Sequence, residues 1–567
     1  MIFVVEFVAA VDSAGTTQTV LVGTQGFTTG ATDTPASASV RARLINAGEF
    51  ARSIATGKLL LGQASAGFGE CVIANQDGAL DAWIQWGVGD RAFTLRAALT
   101  HPGTYPAGWT TIYVATMRAI MPSPDGSSVR ILLNEKIKRL EKPLCPVFDG
   151  SGGLEGPSEY EGEPKPVCYG AVYNAPLTLI DASQLIYQAS ARGSVVANHA
   201  KDNGSVIARA LTGGDDGDAE TVDPDAYEDY DALEAASVPI GHYVTIASAG
   251  VAKFGSPPVG TLTADLMELT GPDDGVAYGA GDRWTEGDTG TDNTDTACAF
   301  WSVLRRMAID AGLDESEIST DDWDRLATDH SAAYQYGYWA RDLSTTFAQA
   351  MSHIATSSGA WFGFDRLGVL RCRTIWNDTW VVTPEDPVVL TVREANCISF
   401  SVVQSDEPGR GIPFGRVVMR YPKNWMPQTD LAGAVGDKVR AQVALDFPRT
   451  TARDSTTVQA QHLNAAELSI DVYSYGWRAQ TNGPLVTTKG AFHADLVELI
   501  EQKRLWAEAE LPLTLDIVES VDLWSNVLVK LPRYGLDDAH IFRVVGIKYS
   551  FHGGPRVRLT LWGGEEI

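Results

Sequence analysis

The sequence is short of basic residues: 44 lysines and arginines face 71 aspartates and glutamates, a formal net charge of −27 over 567 residues. A protein that grips a phosphate backbone needs a basic stripe to displace counterions, and none is present. The same deficit argues against lying on an anionic lipid surface. It is compatible with DNA sliding past a repelling wall, but the plainer reading is that acidity keeps the surface solvated. Long apolar runs are missing too. No stretch approaches the roughly 18 apolar residues that span a bilayer, so no stable membrane insertion is expected. The start, Met1-Ile-Phe-Val-Val-Glu-Phe-Val-Ala-Ala-Val11, has no basic flank and is interrupted by Glu6. It reads as a buried first strand and not as a secretory signal.

Cysteine is sparse and unpaired. Cys71, Cys145, Cys168, Cys298, Cys372 and Cys397 stand far apart with no C-x-x-C pair. That excludes a disulfide-stapled small domain and predicts buried thiols formed in a reducing cytoplasm. The punctuation of catalysis is also missing: there is no G-x-S-x-G elbow, P-loop, H-E-x-x-H helix or G-x-G-x-x-G after a strand. The nine histidines, His101, His199, His353 and His493 among them, are isolated, with none four residues from another. Each reads as a packed or surface side chain, not as a base or ligand. No catalytic, cofactor-binding or metal-ligating residue is assigned, no cofactor is expected, and the reading is non-enzymatic.

What is present is the material of a large globular chain: 44% hydrophobic and 20% charged residues, with 55 glycines and 27 prolines scattered throughout. The length predicts two to four domains at roughly 100–200 residues each. The pattern predicts a β-rich α+β fold, with several sandwich- or barrel-like domains and a small α+β domain inserted. No tandem repeat is found.

Residues 1–147 read as a β domain. Cys71–Asn75 leads to a Gln76-Asp-Gly78 turn, then Leu80, Trp83 and Trp86; Arg91–Ala97 alternates as a half-buried strand does, and Val129–Leu140 runs from a strand into a short arm. Residues 148–260 read as β-rich with an acidic loop, entered through a turn-rich linker over 148–170 and followed by strands at Leu177–Asp181 and Gln184–Gln188.

Residues 261–385 read as α+β. Thr296 is positioned to cap a helix bearing Phe300, Val303, Leu304, Met307 and Ala311, closed by Gly312. A second helix is expected from Ser344 through Phe347, Ala350, Met351 and Ile354, and a hairpin over 360–372. Residues 386–567 read as a β-rich domain. Its strands are Val417–Tyr421, Leu513–Val518, Val527–Leu531, Phe542–Tyr549 and Val557–Trp562, the last ones closing a small barrel or sandwich. One helix carries Phe492, Leu496, Leu499, Ile500 and Trp506.

Two acidic constellations invite a chemical reading. Trp323 among Asp321, Asp322 and Asp324 resembles the paired carboxylates and aromatics of a glycosidase cleft. The preceding Ile318-Ser-Thr320 makes a capped helix N-terminus the better account, since acids there favour the helix dipole. Asp215, Asp216 and Asp218, with Asp223, Asp225, Glu228, Asp229 and Asp231 behind them, form one acidic segment; Asp288, Asp292 and Asp295 lie in the other, over 281–295. Both are spaced like loose oxygen cages for calcium, but neither follows the EF-hand pattern, and both read as solvated loops.

The most specific signals are ordered phrases. They are Asn75-Gln-Asp-Gly-Ala-Leu-Asp81 with Gly89-Asp-Arg91; Gly162-Glu-Pro-Lys-Pro166 with Tyr169-Gly170, Asn174-Ala-Pro176, Asp181 and Ile186-Tyr187; Gly255-Ser-Pro-Pro-Val-Gly-Thr-Leu-Thr-Ala-Asp265; Arg420-Tyr-Pro-Lys-Asn-Trp425; and Leu559-Thr-Leu-Trp-Gly563. Together they resemble tail-tip and baseplate-hub proteins of long-tailed bacteriophages, in order and over most of the chain.

The resemblance implies a structural virion protein made and assembled in the host cytoplasm. Its place would be in a homo-oligomeric ring, a trimer in the hub family, that continues the tail tube. Its implied partners are the distal tail protein, the tape-measure protein, and tail fibre or receptor-binding proteins, with DNA only in transit through the lumen at ejection. No lysozyme-like or peptidase-like domain is recognised, so wall digestion would fall to other subunits. The rival readings are a tail-borne polysaccharide hydrolase and a receptor-binding adhesin.

Overall fold

The computed structural model describes residues 1–54, 60–210, 227, 229–268, 298–330, 335–375, 386–403, 409–474, 496, 505–551 and 554–566. The fold is α+β and β-rich, with short helices set among several sheets.

Alternating apolar residues build the first sheet. Strand Ile2–Ala10 is buried along most of its length and pairs antiparallel with Thr17–Gly23 and Ala92–Ala98. The sheet continues through Thr110–Pro122, Ser128–Asn134 and Cys71–Ala74 to Leu44–Asn46, and on its other side through Ser39–Ala42 to Phe27–Thr28, nine strands in all. The Gln76-Asp-Gly78 turn forms as expected and leads into a 3-10 turn over Asp81–Gln85 that buries Trp83. The arm after Asn134 is a 3-10 turn, Lys136–Leu140.

Two five-stranded sheets follow. One is ordered Ser205–Val206, Val195–Asp202, Leu262–Glu268, Val167–Pro176, Gly337–Ala340; the other Thr178–Asp181, Ile186–Gln188, Val251–Phe254, His242–Ile246, Ala208–Arg209. Side chains from both, such as Val172, Ala197 and Leu266 from the first and Tyr187, Tyr243 and Phe254 from the second, fill a single core. That is a β-sandwich. The turn-rich stretch expected as a linker is itself packed: Phe148 is fully buried against Ile180, Ile186 and Leu233.

The helices are short, and the three longest pack on the large central core. Phe300–Asp310 buries Phe300, Val303, Leu304 and Met307, the expected stripe, and Gly312 closes it at φ +96°. Its N-cap is Ala299; Thr296, the expected cap, lies outside the described residues. The next helix, Thr320–Asp329, is capped by Ser319. The third starts later than Ser344: Thr346 and Gln349 form a capping box and the helix runs Phe347–Ser358. Ser344 is drawn into a turn by Asp342, whose Oδ1 accepts its N–H at 2.9 Å. The expected hairpin is present as Ala360–Phe364 and Leu370–Thr374, extended by Gly62–Gln63.

The C-terminal strands form an eight-stranded sheet, not a self-contained unit. Val388–Arg393, Asn526–Lys530, His540–Ser550, Arg556–Glu566, Leu505–Pro512 and Ser399–Val403 lie in that order, and Glu49–Ser53 with Ser65–Phe68 join it against His540–Ser550. Two expectations fail here. Leu513–Val518 is not a strand: Thr514 accepts the Ile517 N–H and starts a helix, Leu515–Ser520. Trp506 belongs to strand Leu505–Pro512 and not to a helix; Leu496 is buried, and Phe492, Leu499 and Ile500 lie outside the described residues. A three-stranded sheet, Arg449–Asp454, Arg416–Tyr421 and Glu467–Asp471, completes the fold.

Candidate functional site: buried polar junctions

The phrases of the sequence converge in space. Strand Val167–Pro176 is bulged between Val172 and Ala175, and strand Val195–Asp202 between Asn198 and Lys201; both pair with Leu262–Glu268 between them. The first bulge turns the Asn174 backbone N–H toward Asp265, and the second brings the His199 and Lys201 side chains to it. Asp265, 2% exposed, accepts the Asn174 N–H at 3.0 Å and the Lys201 ammonium at 2.8 Å. His199 lies 3.5 Å from its other oxygen.

Asn174, held at φ +55° and fully buried, then bridges to a remote loop. Its amide donates to Asn424 Oδ1 and to the Met426 carbonyl, both at 2.8 Å, and its own oxygen accepts from Thr263 Oγ1 at 2.8 Å. Asn424, also fully buried, donates onward to the carbonyls of Val443 and Leu445. Three phrases, Asn174-Ala-Pro176, the Thr263-Ala-Asp265 end of the third, and Arg420–Trp425, thus meet in one hydrogen-bonded knot. In a low-dielectric interior such a knot fixes one arrangement, because any unmade bond costs about 1–3 kcal/mol.

Gly170 anchors a second junction. At φ +67° its backbone approaches so closely that a Cβ would sit 2.0 Å from the Tyr336 carbonyl. Its N–H donates to Glu268 Oε2 at 2.8 Å. Glu268, 1% exposed, also pairs with Arg306 at 2.9 Å and Arg192 at 2.8 Å. Arg192 lies over the Tyr169 ring, and both reach Asp310.

The third junction absorbs the suspected carboxylate cluster. Asp322 is 1% exposed and held in a fork by Arg371, at 2.5 and 2.8 Å, with Arg373 Nε at 3.1 Å. Arg373 and Arg325 both reach Asp386. Trp323 packs its ring inward and donates Nε1–H to the Trp301 carbonyl at 2.8 Å. The recess beside this cluster holds about 20 Å³, room for one water and not for a sugar. Asp321 lies exposed in the first helical turn, as the capped-terminus reading requires. The arginine fork was missed in sequence, although Arg371 and Arg373, two apart in a strand, share one face.

The histidines are packed apart. His101 meets Phe27 and Trp109 edge-on, and His353 stacks on Tyr473 at 5.2 Å. Burial pulls the His330 imidazole down to about 4 and also lowers His353. His493 lies outside the described residues, as do Asp215, Asp216, Asp218, Asp223, Asp225, Glu228, Asp288, Asp292 and Asp295. Asp229 is a helix cap that accepts the Ala232 N–H, and Asp231 follows it in the first turn. Among the described residues no three His, Cys, Asp or Glu side chains gather as a metal cage, and no helix is long and apolar enough to cross a membrane.

No protein-family model matches the chain, and no curated protein matches it. Among solved structures, it is similar to the 43 kDa tail protein of prophage MuSo2 from Shewanella oneidensis, with TM-score 0.35 and 11% identity over 99% of this chain and 98% of that one. It is also similar to the tail protein from Neisseria meningitidis MC58, with TM-score 0.38 and 8% identity over 99% and 96%. A third is prophage tail protein gp18 from Listeria monocytogenes EGD-e, with TM-score 0.22 and 11% identity over 40% and 56%. All three are tail proteins.

Proposed function

We propose that the protein is a structural subunit of a bacteriophage tail tip, of the baseplate-hub kind. The observation that supports this reading is the convergence of the hub-like phrases on Asn174, Asp265 and Asn424. The residues of these phrases are here spent on fixing how remote segments sit together. That is the demand on a part that bears load and transmits movement.

In this reading the chain forms a homo-oligomeric ring, a trimer, continuing the tail tube. It joins the distal tail and tape-measure proteins to the fibres or receptor-binding tip, and opens for DNA ejection. The eight-stranded sheet supplies edges for such contacts. Among the described residues, Ser399–Val403 pairs on one side only, with Leu505–Pro512, and exposed Ile398 stands beside it. A sheet edge of this kind accepts a strand from a neighbour, and one repeated interface closes a ring.

Deleting the coding sequence from the phage that carries it tests the reading. Lysates should contain filled heads without functional tails, restored by supplying the protein in trans. Normal infectious particles would overturn it.

A further inference from the structure

The turn of hairpin Ala360–Thr374 docks where the N-terminal and C-terminal parts of the chain meet. Asp365, at its start, is 10% exposed. Its Oδ1 accepts the Leu367 and Val369 N–H groups, both at 2.9 Å, and its Oδ2 lies 3.8 Å from Arg371 Nη1. That same Nη1 lies 4.0 Å from Asp522 Oδ2. Two carboxylates therefore compete for one guanidinium nitrogen, and the rest of that guanidinium is committed to Asp322.

The charged groups facing Asp365 come from every neighbouring segment. Strand Glu49–Ser53 brings Arg52, which pairs with Asp522. Behind the turn, a cavity of about 20 Å³ is lined by Phe50, Phe364, Glu135, Lys136 and Asp365. Lys136 is drawn off to Glu317 and the Gly368 carbonyl, both at 3.1 Å. Within the hairpin, Arg366 donates to the Thr111 carbonyl. Tyr549, on the strand paired with Glu49–Ser53, faces Asp522, Arg366 and Arg52.

We propose that Asp365 is the proton-binding element of a latch that joins the hairpin turn to the Arg52–Asp522 pair. Ionised Asp365 repels Asp522 and loosens the contact; protonated Asp365 lets it close. Burial and the Asp522 charge raise the Asp365 carboxyl above its ordinary value, and burial raises Glu135. Arg52 and Arg371 hold Asp522 below its own. Acidification thus neutralises Asp365 while Asp522 stays charged. Because the docked state holds Asp365 above the ordinary 3.8, docking tightens as pH falls from neutral through the raised value. It weakens again below 3.8, once Asp522 takes up its proton. The latch ties strand Glu49–Ser53, through Arg52, and hairpin Ala360–Thr374, through Asp365 and Arg371, to Asp522, so its state sets how firmly these three segments are held.

Hydrogen exchange of the full-length chain, at pH 7.5 and pH 5 with intrinsic rates divided out, tests the latch. Peptides covering 49–54 and 360–375 should exchange more slowly at pH 5 than at pH 7.5 in the wild type. Asp365→Asn keeps the Oδ1 acceptor and should show the slow rate at both pH values, whereas Glu135→Gln should keep the wild-type dependence. Flat wild-type exchange, or a dependence that survives in Asp365→Asn or is lost in Glu135→Gln, would overturn the proposal. The change in Tm from pH 7.5 to pH 5 should be more positive in the wild type than in Asp365→Asn, and equal changes in the two would overturn it.

Discussion

Asn174 and Asn424, 250 positions apart, share a hydrogen bond of 2.8 Å inside a core where neither side chain reaches solvent. Removing the Asn174 side chain leaves Asn424 Oδ1, the Met426 carbonyl and Thr263 Oγ1 without that partner. Asn174→Gly, which tolerates φ +55°, isolates the side chain's share. It should cost about 2–4 kcal/mol and lower the Tm by several degrees in a thermal melt. An unchanged Tm would show that the knot carries no stability.

Gly170 allows a sharper test. Gly170→Ala puts a methyl carbon 2.0 Å from the Tyr336 carbonyl, where backbone must move. The variant should yield no soluble folded protein. Gly15→Ala, also at positive φ but with nothing within 4 Å, should fold and lose only about 1 kcal/mol. Circular dichroism of the two variants separates steric from conformational cost.

Arg371→Met removes the bidentate partner of buried Asp322. Losing one partner of a buried pair costs about 3–5 kcal/mol; with Arg371 a quarter exposed and Arg373 still in reach, about 2–3 kcal/mol is expected from denaturant titration. The acid limb of stability has the same origin. Asp386 and Asp522 are held below 3.8 by Arg325 and Arg52, among other neighbours. Their contribution is complete above 3.8 and disappears as pH falls through the lowered values, so unfolding should steepen below that pH.

Thiol reactivity reads the core directly. Cys71, Cys145, Cys168, Cys298 and Cys372 are buried, and burial pushes the Cys71 thiol up to about 12 and the Cys145 thiol to about 11. Only half-buried Cys397 should take a maleimide label in the native protein at neutral pH, and all six after denaturation. Rapid native labelling at a second cysteine would contradict the packing.

Local signals were legible and distant pairings were not. The hairpin 360–374 could be read because an apolar strand, an Asp-Arg-Leu-Gly turn and a second strand are adjacent in sequence. The stripe from Phe300 to Met307 was equally plain. Leu513–Val518 misled because Leu, Ile and Val suit a strand as well as a buried helix turn, and the deciding Thr514 cap is one hydrogen bond. Nothing local announces that Glu49 pairs with Ser550. The knot at Asn174 was visible only as three separate phrases; their meeting depends on two bulges, which no period-two pattern encodes.

The claim that this chain is a tail-tip ring subunit is tested most directly by imaging intact phage particles with the protein labelled. The account predicts label confined to the distal end of the tail, with density there for a closed ring whose mass is a small multiple of the 60.9 kDa chain, three for a trimer. Label on the head, along the tail shaft, or absent from the particle would contradict it.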